Sequence, residues 1–383
     1  MALALVDGCW VDRMKATQGF LNSLLASLGS SEEIFKMLIM KENFYGRVLY
    51  LDILRIIACL LVLLTHSAMP AVDLSQGKYY AFFSTLGVPS SELFLTISGA
   101  TLLPVKRGFK EFYTRRFTKL LYPFVIWSVV YIAYYYVMGY RDLNDTIVSF
   151  LLIPLKPVHG VFWFIYAICG LYLLAPFISK WIVNSTKKQI EFFLCLWLVT
   201  IVVPFLNYLM PGFYELNGSY YNMFNSFGGF VGYMVLGYYL RTYPIRFSSM
   251  GKCALICGLV TMALFLVVYV FKVNQWNEEI LLDNLSLFSA IAVMTIITFF
   301  QHVAQLPYFT NKGDWFKECS KYTFGIYLVH ILVIREFIWK GMEHYRLDAM
   351  IETPLICFMG FLFSCLLLKC LSKLPGSKYV VGF

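Results

Sequence analysis

An all-α polytopic membrane protein with about ten transmembrane helices is the fold class predicted here, and three observations predict it. The chain of 383 residues is 60% hydrophobic and only 14% charged, where a soluble domain carries about 25% charged residues. Apolar runs of about 20 residues, the length that crosses a bilayer, recur along it. The Lys and Arg residues are distributed unevenly between the intervening loops, as they are in inserted proteins.

The runs fall at 48–69, 80–103, 119–140, 160–180, 190–210, 224–241, 252–271, 283–301, 322–340 and 353–371. Short loops separate them, so they read as one helical bundle. An even number of spans puts both termini on one side. Of the 31 Lys and Arg residues, only Lys78, Arg141, Lys156, Lys272, Arg335, Lys340 and Arg346 fall on the far side, and Arg55 lies within the first span. The positive-inside rule therefore predicts cytoplasmic termini. The net charge of +9 follows from this topology and gives no argument for nucleic-acid binding. The ten cysteines are scattered through apolar runs without a CxxC pair, and read as small apolar side chains.

Three regions follow. Residues 1–47 form an N-terminal extension: Phe20 to Leu28 suit a short interfacial helix, and Met37 or Met40 is an alternative start. Residues 48–372 are the membrane domain, and 373–383 a cytoplasmic tail. No secretory signal pattern, internal repeat or low-complexity segment is present.

The first span, YLDILRIIACLLVLLTH (Tyr50 to His66), carries Asp52, Arg55 and His66. An ionisable side chain at mid-membrane costs at least about 2.5–3.5 kcal/mol on insertion scales, so three on one span require a reason. Eleven residues of helix turn through about 1100°, which places Arg55 and His66 on one face about 16 Å apart. Asp52 is one turn from Arg55 and can pair with it. The bland reading is a buried ion pair and a satisfied histidine. The functional one is a polar track in which a guanidinium grips phosphate and an imidazole takes a proton or acts as nucleophile. The bilayer favours the second.

Four further stretches are singled out. GVPSSELFLTISGATLL (Gly87 to Leu103) holds a helix-breaking Pro89, an intramembrane Glu92 able to pair with a cation or His66, and Ser98-Gly99, which suits either helix packing or close ligand approach. RRFTKLLYPF (Arg115 to Phe124) places Arg115, Arg116 and Lys119 near one helix face at the membrane edge. That pattern fits ordinary snorkelling or an anion clamp, and Pro123 favours a bend. HGVFWFIYAICGLYLLAP (His159 to Pro176) places His159 at the outer surface and supplies Trp163, Tyr166 and Tyr172. KYTFGIYLVH (Lys321 to His330) supplies Tyr327 and His330. Trp163, Tyr166, Tyr327 and His330 can line a cavity or simply pack. His302 and His344 read as loop residues. There is no HExxH, P-loop, GxGxxG or metal-ligand cluster.

Taken in order, these stretches resemble acyltransferase family 3 of membrane proteins. Its members carry Arg or Lys, ten intervening residues and His in the first helix, here Arg55 and His66. A Phe-rich segment ending in Ser-Gly is matched by Ser98 and Gly99. A basic element before proline is matched by Arg115, Arg116, Lys119 and Pro123. WF…LYLL.P is matched by Trp163, Phe164, Leu171, Tyr172 and Pro176, and SFGIYLxH by TFGIYLVH ending at His330. The similarity covers about residues 48 to 380. Ile56 stands where Gly is frequent after the Arg, Thr323 where Ser is usual, and Lys119 where Arg is common.

The resemblance implies about ten spans and transfer of an acyl group from acetyl-CoA or a related acyl-CoA to a hydroxyl outside the cytoplasm. His66 would be base or acyl carrier, Arg55 would help hold the donor with Ser98 and Gly99 nearby, and Arg115–Lys119 would face its nucleotide end. No cofactor is permanently bound; acyl-CoA is a substrate. The acceptor expected is a surface polysaccharide or lipid-linked sugar. Outer loops 141–160 and 211–224 would select it, and the chain would either complete the transfer itself or hand over to a separate extracytoplasmic protein. The alternative is a transporter or flippase of a lipid-linked saccharide, which predicts interrupted helices in matching halves.

Overall fold

Each apolar segment read from the sequence overlaps a helix in the computed structural model, which describes residues 48–68, 80–209, 229–277, 279–342 and 347–382. The principal helices are α1 (Leu49–Ser67), α2 (Tyr80–Gly87), α3 (Ser90–Leu102), α4 (Phe109–Val137), α5 (Trp163–Val183) and α6 (Lys187–Leu209). They continue as α7 (Val231–Thr242), α8 (Met250–Val273), α9 (Leu287–Val303), α10 (Gly313–Lys321), α11 (Thr323–Ile331) and α12 (Ala349–Leu371). No strand occurs among the described residues. The fold is all-α, as the composition predicts.

Local chemistry marks several ends. Ser249, Ser286 and Asp348 cap α8, α9 and α12 by accepting from backbone N–H groups one turn in, and Asp142 does the same for the short helix Leu143–Leu151. At the end of α4, Gly139 adopts φ +73°, and the Tyr140 N–H reaches back to the Tyr135 carbonyl at 2.9 Å. A residue with a Cβ is strained in that left-handed turn, so glycine stops the helix.

Among the described residues, five helices are long and apolar enough to cross a membrane: Leu49–Ser67, Phe109–Val137, Gly160–Val183, Met250–Val273 and Ala349–Leu371. A sixth is formed if the bent pair Gly313–Lys321 and Thr323–Met342 is one span, the two parts meeting at 43°. Val137, Phe177, Leu255, Leu259, Met262, Leu266 and Phe358 face outward from these helices. A belt of such side chains is unfavourable in water and is covered by lipid in a bilayer.

α1 occupies the centre. It packs against α2, α3, α9, α10, α11 and α12, and buries Leu51, Leu54, Ala58, Cys59 and Leu63. Beside it α3 and α7 meet without intervening side chains. A Cβ on Gly99 would fall 1.9 Å from the Met234 carbonyl oxygen, and one on Gly237 would fall 1.8 Å from the Thr96 oxygen. Only glycine permits that approach, the small-residue packing that holds helices together where water supplies no driving force.

Two features depart from the sequence reading, and a third, the break at Pro89, follows it. α4 starts at Phe109, ahead of the apolar run at 119, because the basic stretch 109–118 is itself helical; the helix continues through Pro123. The segment around Pro89 is two helices, since proline has no N–H to donate and Val88-Pro89 forms the turn between α2 and α3. Residues read as a tail fold back: Trp127 Nε1 of α4 donates to the Val380 carbonyl at 3.1 Å, and Val381 is fully buried. The extension 1–47, His344 and loop 211–224 lie outside the described residues.

Candidate active site

The His66 end of α1 opens on a cavity of about 300 Å³. His66 and Thr65 of α1, Ser90 and Ser91 at the start of α3, Trp163 of α5, Tyr327 of α11 and Asn284 line it. The Pro89 break supplies the serines, since the chain turns there and α3 begins at the cavity wall. Tyr327 is fixed by its hydroxyl, which donates to the Val161 carbonyl. Trp163 is held against Phe230 at 5.6 Å between ring centroids.

Behind His66, away from the cavity, stands His330 of α11. The ring centroids are 5.2 Å apart at 42°. His330 is fully buried, its Nδ1 lies 2.6 Å from the Tyr327 carbonyl, and its Nε2 has no hydrogen-bond partner.

At the other end of α1, about 16 Å away by helix rise, Arg55 donates to Asp52 at 2.7 Å. Asp52 is only 2% exposed, and Ser320 Oγ also donates to it, at 2.9 Å. Ser320 belongs to the last turn of α10, immediately before the 43° bend at Tyr322, so the bend is seated on the ion pair. The Arg55 side chain keeps 24% exposure, whereas Asp52 is enclosed. Tyr172 of α5 lies within electrostatic reach of Arg55, Arg116 and Ser98 together. Tyr172 thus feels residues of α1, α3 and α4, two of them guanidiniums, from positions far apart in sequence.

Other expected site residues fall elsewhere. Arg115 and Lys119 line a shallow groove of about 790 Å³ with Phe109, Lys110, Thr114 and Thr118. They are separated from Arg116 because one residue of helix turns about 100°. Gly99 is filled by the α7 backbone and offers no surface to a ligand. Tyr166 does not line the His66 cavity; its hydroxyl donates to the Ile153 carbonyl and its ring packs on Phe124. Glu92 is fully buried beside that cavity, not in its wall, and both carboxylate oxygens lack a hydrogen-bond partner. It pairs with neither His66 nor a cation among the described residues. His302 is helical, in the last turn of α9.

Two residues that the sequence did not assign stand near the histidines. His159, read as an outer-surface residue, is half-buried; its ring lies 5.8 Å from Tyr131 and its Nδ1 accepts from the Val161 N–H at 3.3 Å. Burial, with Arg335 and Arg141 adding to it, pulls this imidazole down to about 4, so it is neutral at pH 7. Arg335, counted only as a far-side charge, acts electrostatically on both His66 and His159. It sits in a π-helical stretch, Leu332–Trp339, that no 3.6-residue pattern announces.

A family model described as an acyltransferase domain, Acyl_transf_3, matches residues 48–369. The chain belongs to acyltransferase family 3, and its class is that of a membrane acyltransferase. No curated protein and no solved structure is significantly similar to it.

Proposed function

We propose that the chain is an integral-membrane O-acyltransferase that moves an acyl group, in the simplest case acetyl, from acyl-CoA to a hydroxyl of a surface polysaccharide or lipid-linked sugar. It lies in the inner (plasma) membrane with about ten spans and cytoplasmic termini. The observation that carries this reading is α1 itself: one helix carries Arg55, which like Arg116 acts on Tyr172, and His66, which lines a cavity. Their separation of about 16 Å suits an extended donor held by its phosphates at one end and reacting at the other.

In the reaction, His66 takes the proton of the acceptor hydroxyl while its oxygen bonds to the thioester carbonyl carbon. The carbon–sulfur bond breaks, and the CoA thiolate leaves with the proton from His66. In the two-step variant His66 first carries the acyl group as an acyl-imidazole and CoA leaves before the acceptor arrives. Asp52 holds Arg55 in place; Arg116 and Ser98 stand beside it at the donor's phosphates. The groove of Arg115 and Lys119 is a second basic surface for the nucleotide end. Acceptor selection belongs to the far side, with a separate extracytoplasmic protein as possible recipient.

The test is transfer from radiolabelled acetyl-CoA by purified protein in nanodiscs, with and without a membrane glycan extract. Label should reach glycan with wild type and not with His66→Ala, while Arg55→Ala should need more donor. Label held on the protein alone would indicate the two-step variant. Normal transfer by well-folded His66→Ala would overturn the assignment.

A further inference from the structure

We propose that His330 is the positioning residue of His66: its Nε2, open in this structure, is the acceptor toward which one nitrogen of the His66 ring turns during the reaction, so that the other nitrogen, with its lone pair, faces the cavity. The inference rests on the reading of His66 as base or acyl carrier and deepens it.

The tautomer of His330 follows from its neighbour. A carbonyl oxygen can only accept a hydrogen bond, so the 2.6 Å contact between Nδ1 and the Tyr327 carbonyl places the proton on Nδ1. In a neutral ring that leaves Nε2 as a bare acceptor. Nε2 has no partner among the described residues and no access to solvent, since His330 is 0% exposed. Buried acceptors are nearly always satisfied. The ring closest to supplying a donor is His66, and centroids 5.2 Å apart allow edge nitrogens to come within about 3 Å, the length of a hydrogen bond.

The surroundings make the contact useful. The groups acting on His66 from other elements are Arg335 and His159, and those acting on His330 are His66, His159 and the Tyr327 and Ile326 backbones. No carboxylate pairs with His66 among the described residues. The role that a carboxylate fills behind the histidine of a Ser-His-Asp triad, fixing tautomer and supporting the transient imidazolium, falls here to a neutral imidazole whose own tautomer is locked by backbone. His66 lines the cavity and His330 does not, which is the order such a relay needs.

The full chain in nanodiscs, with acetyl-CoA and a membrane glycan extract, tests this through His330→Leu and His330→Gln. Leucine removes the acceptor atom; glutamine returns an oxygen near the position of Nε2. Transfer by His330→Leu should fall about 100-fold at saturating acetyl-CoA, the lower end of what positioned acid–base catalysis contributes. The KM for acetyl-CoA should stay within about threefold, and His330→Gln should recover to within about tenfold of wild type. Nitrogen-15 NMR of histidine-labelled protein gives a readout independent of turnover: His66 should show one tautomer in wild type and the glutamine variant, and a mixture in the leucine variant.

Wild-type transfer and an unchanged His66 tautomer in His330→Leu would overturn the proposal. If the leucine variant does not fold, the glutamine variant decides. A folded His330→Gln as inactive as His66→Ala, or with mixed His66 tautomers, overturns it. If His66→Ala itself transfers normally, the underlying catalytic reading fails, whereas a dead His66→Ala beside a fully active His330→Leu removes only the role of His330.

Discussion

His302 and His330 are built alike and used differently. Each sits in a helix, and each points Nδ1 at a backbone carbonyl of its own helix, that of Thr298 at 2.9 Å and that of Tyr327 at 2.6 Å. Each is therefore held in one tautomer with Nε2 as acceptor. At His302 the acceptor is occupied by the Phe247 N–H at 3.1 Å, which ties the chain after α7 to the end of α9. At His330 it is left open, fully buried, with the His66 ring alongside. Occupancy of Nε2 separates a histidine that joins two elements from one that is free to act on a third group.

The contrast makes opposite demands under mutation. The largest effect is expected at the open end of the pair. His66→Ala should lose transfer by at least about 100-fold with its melting temperature nearly unchanged, because that ring faces a cavity; parallel activity and thermal-melt measurements check this. At the seam of α3 and α7 the order reverses. Gly99→Ala should lose about 1–3 kcal/mol of stability, since the colliding atom is backbone and cannot turn aside. Thermal denaturation in detergent would show it, and an unaltered melt would break the division between packed and open positions.

His302→Leu should also lose stability, by about 0.5–1.5 kcal/mol, through the Phe247 N–H that it strands. Its transfer rate should stay within about twofold of wild type. Finally, adjacent residues divide in the same way along α4. Arg116→Ala should raise the KM for acetyl-CoA about tenfold, as expected for one charged hydrogen bond. Arg115→Ala, in the second basic groove, should raise it less, by about threefold. Equal effects at 115 and 116 would show that the two grooves hold the donor equally.

Most of the fold was legible because burial in lipid leaves a blunt signal: each apolar run overlaps a helix among the described residues. Boundaries were legible only where chemistry is local, as at Pro89. The start of α4 was not, because Phe109 to Lys119 is basic and polar and reads as a loop although it is helical. At the site, the Arg55–His66 spacing was legible since both lie on one regular helix. Arg116, Ser98 and Tyr172 could be singled out but not assembled, because their meeting depends on how four helices pack. Gly99 shows the limit of a small-residue signal: it announces close approach without saying to what, and here the answer is the Met234 carbonyl. Arg335 was passed over because it lies beyond the reach of the regular repeat.

That last residue gives the π-helical stretch Leu332–Trp339 a meaning beyond its shape. In a regular α-helix, a residue five places on is turned about 140° from the first; with i→i+5 bonding the wide turns bring such residues back toward one side. The stretch works as a shift of reading frame in the helix, with everything after it read in a different phase from everything before. Removing one residue from it would leave the composition, length and hydropathy of the span almost untouched, yet would rotate Arg335, Glu336 and Trp339 as a block relative to His330. The charges that surround the histidines are thus set by the count of residues between them as much as by their identity.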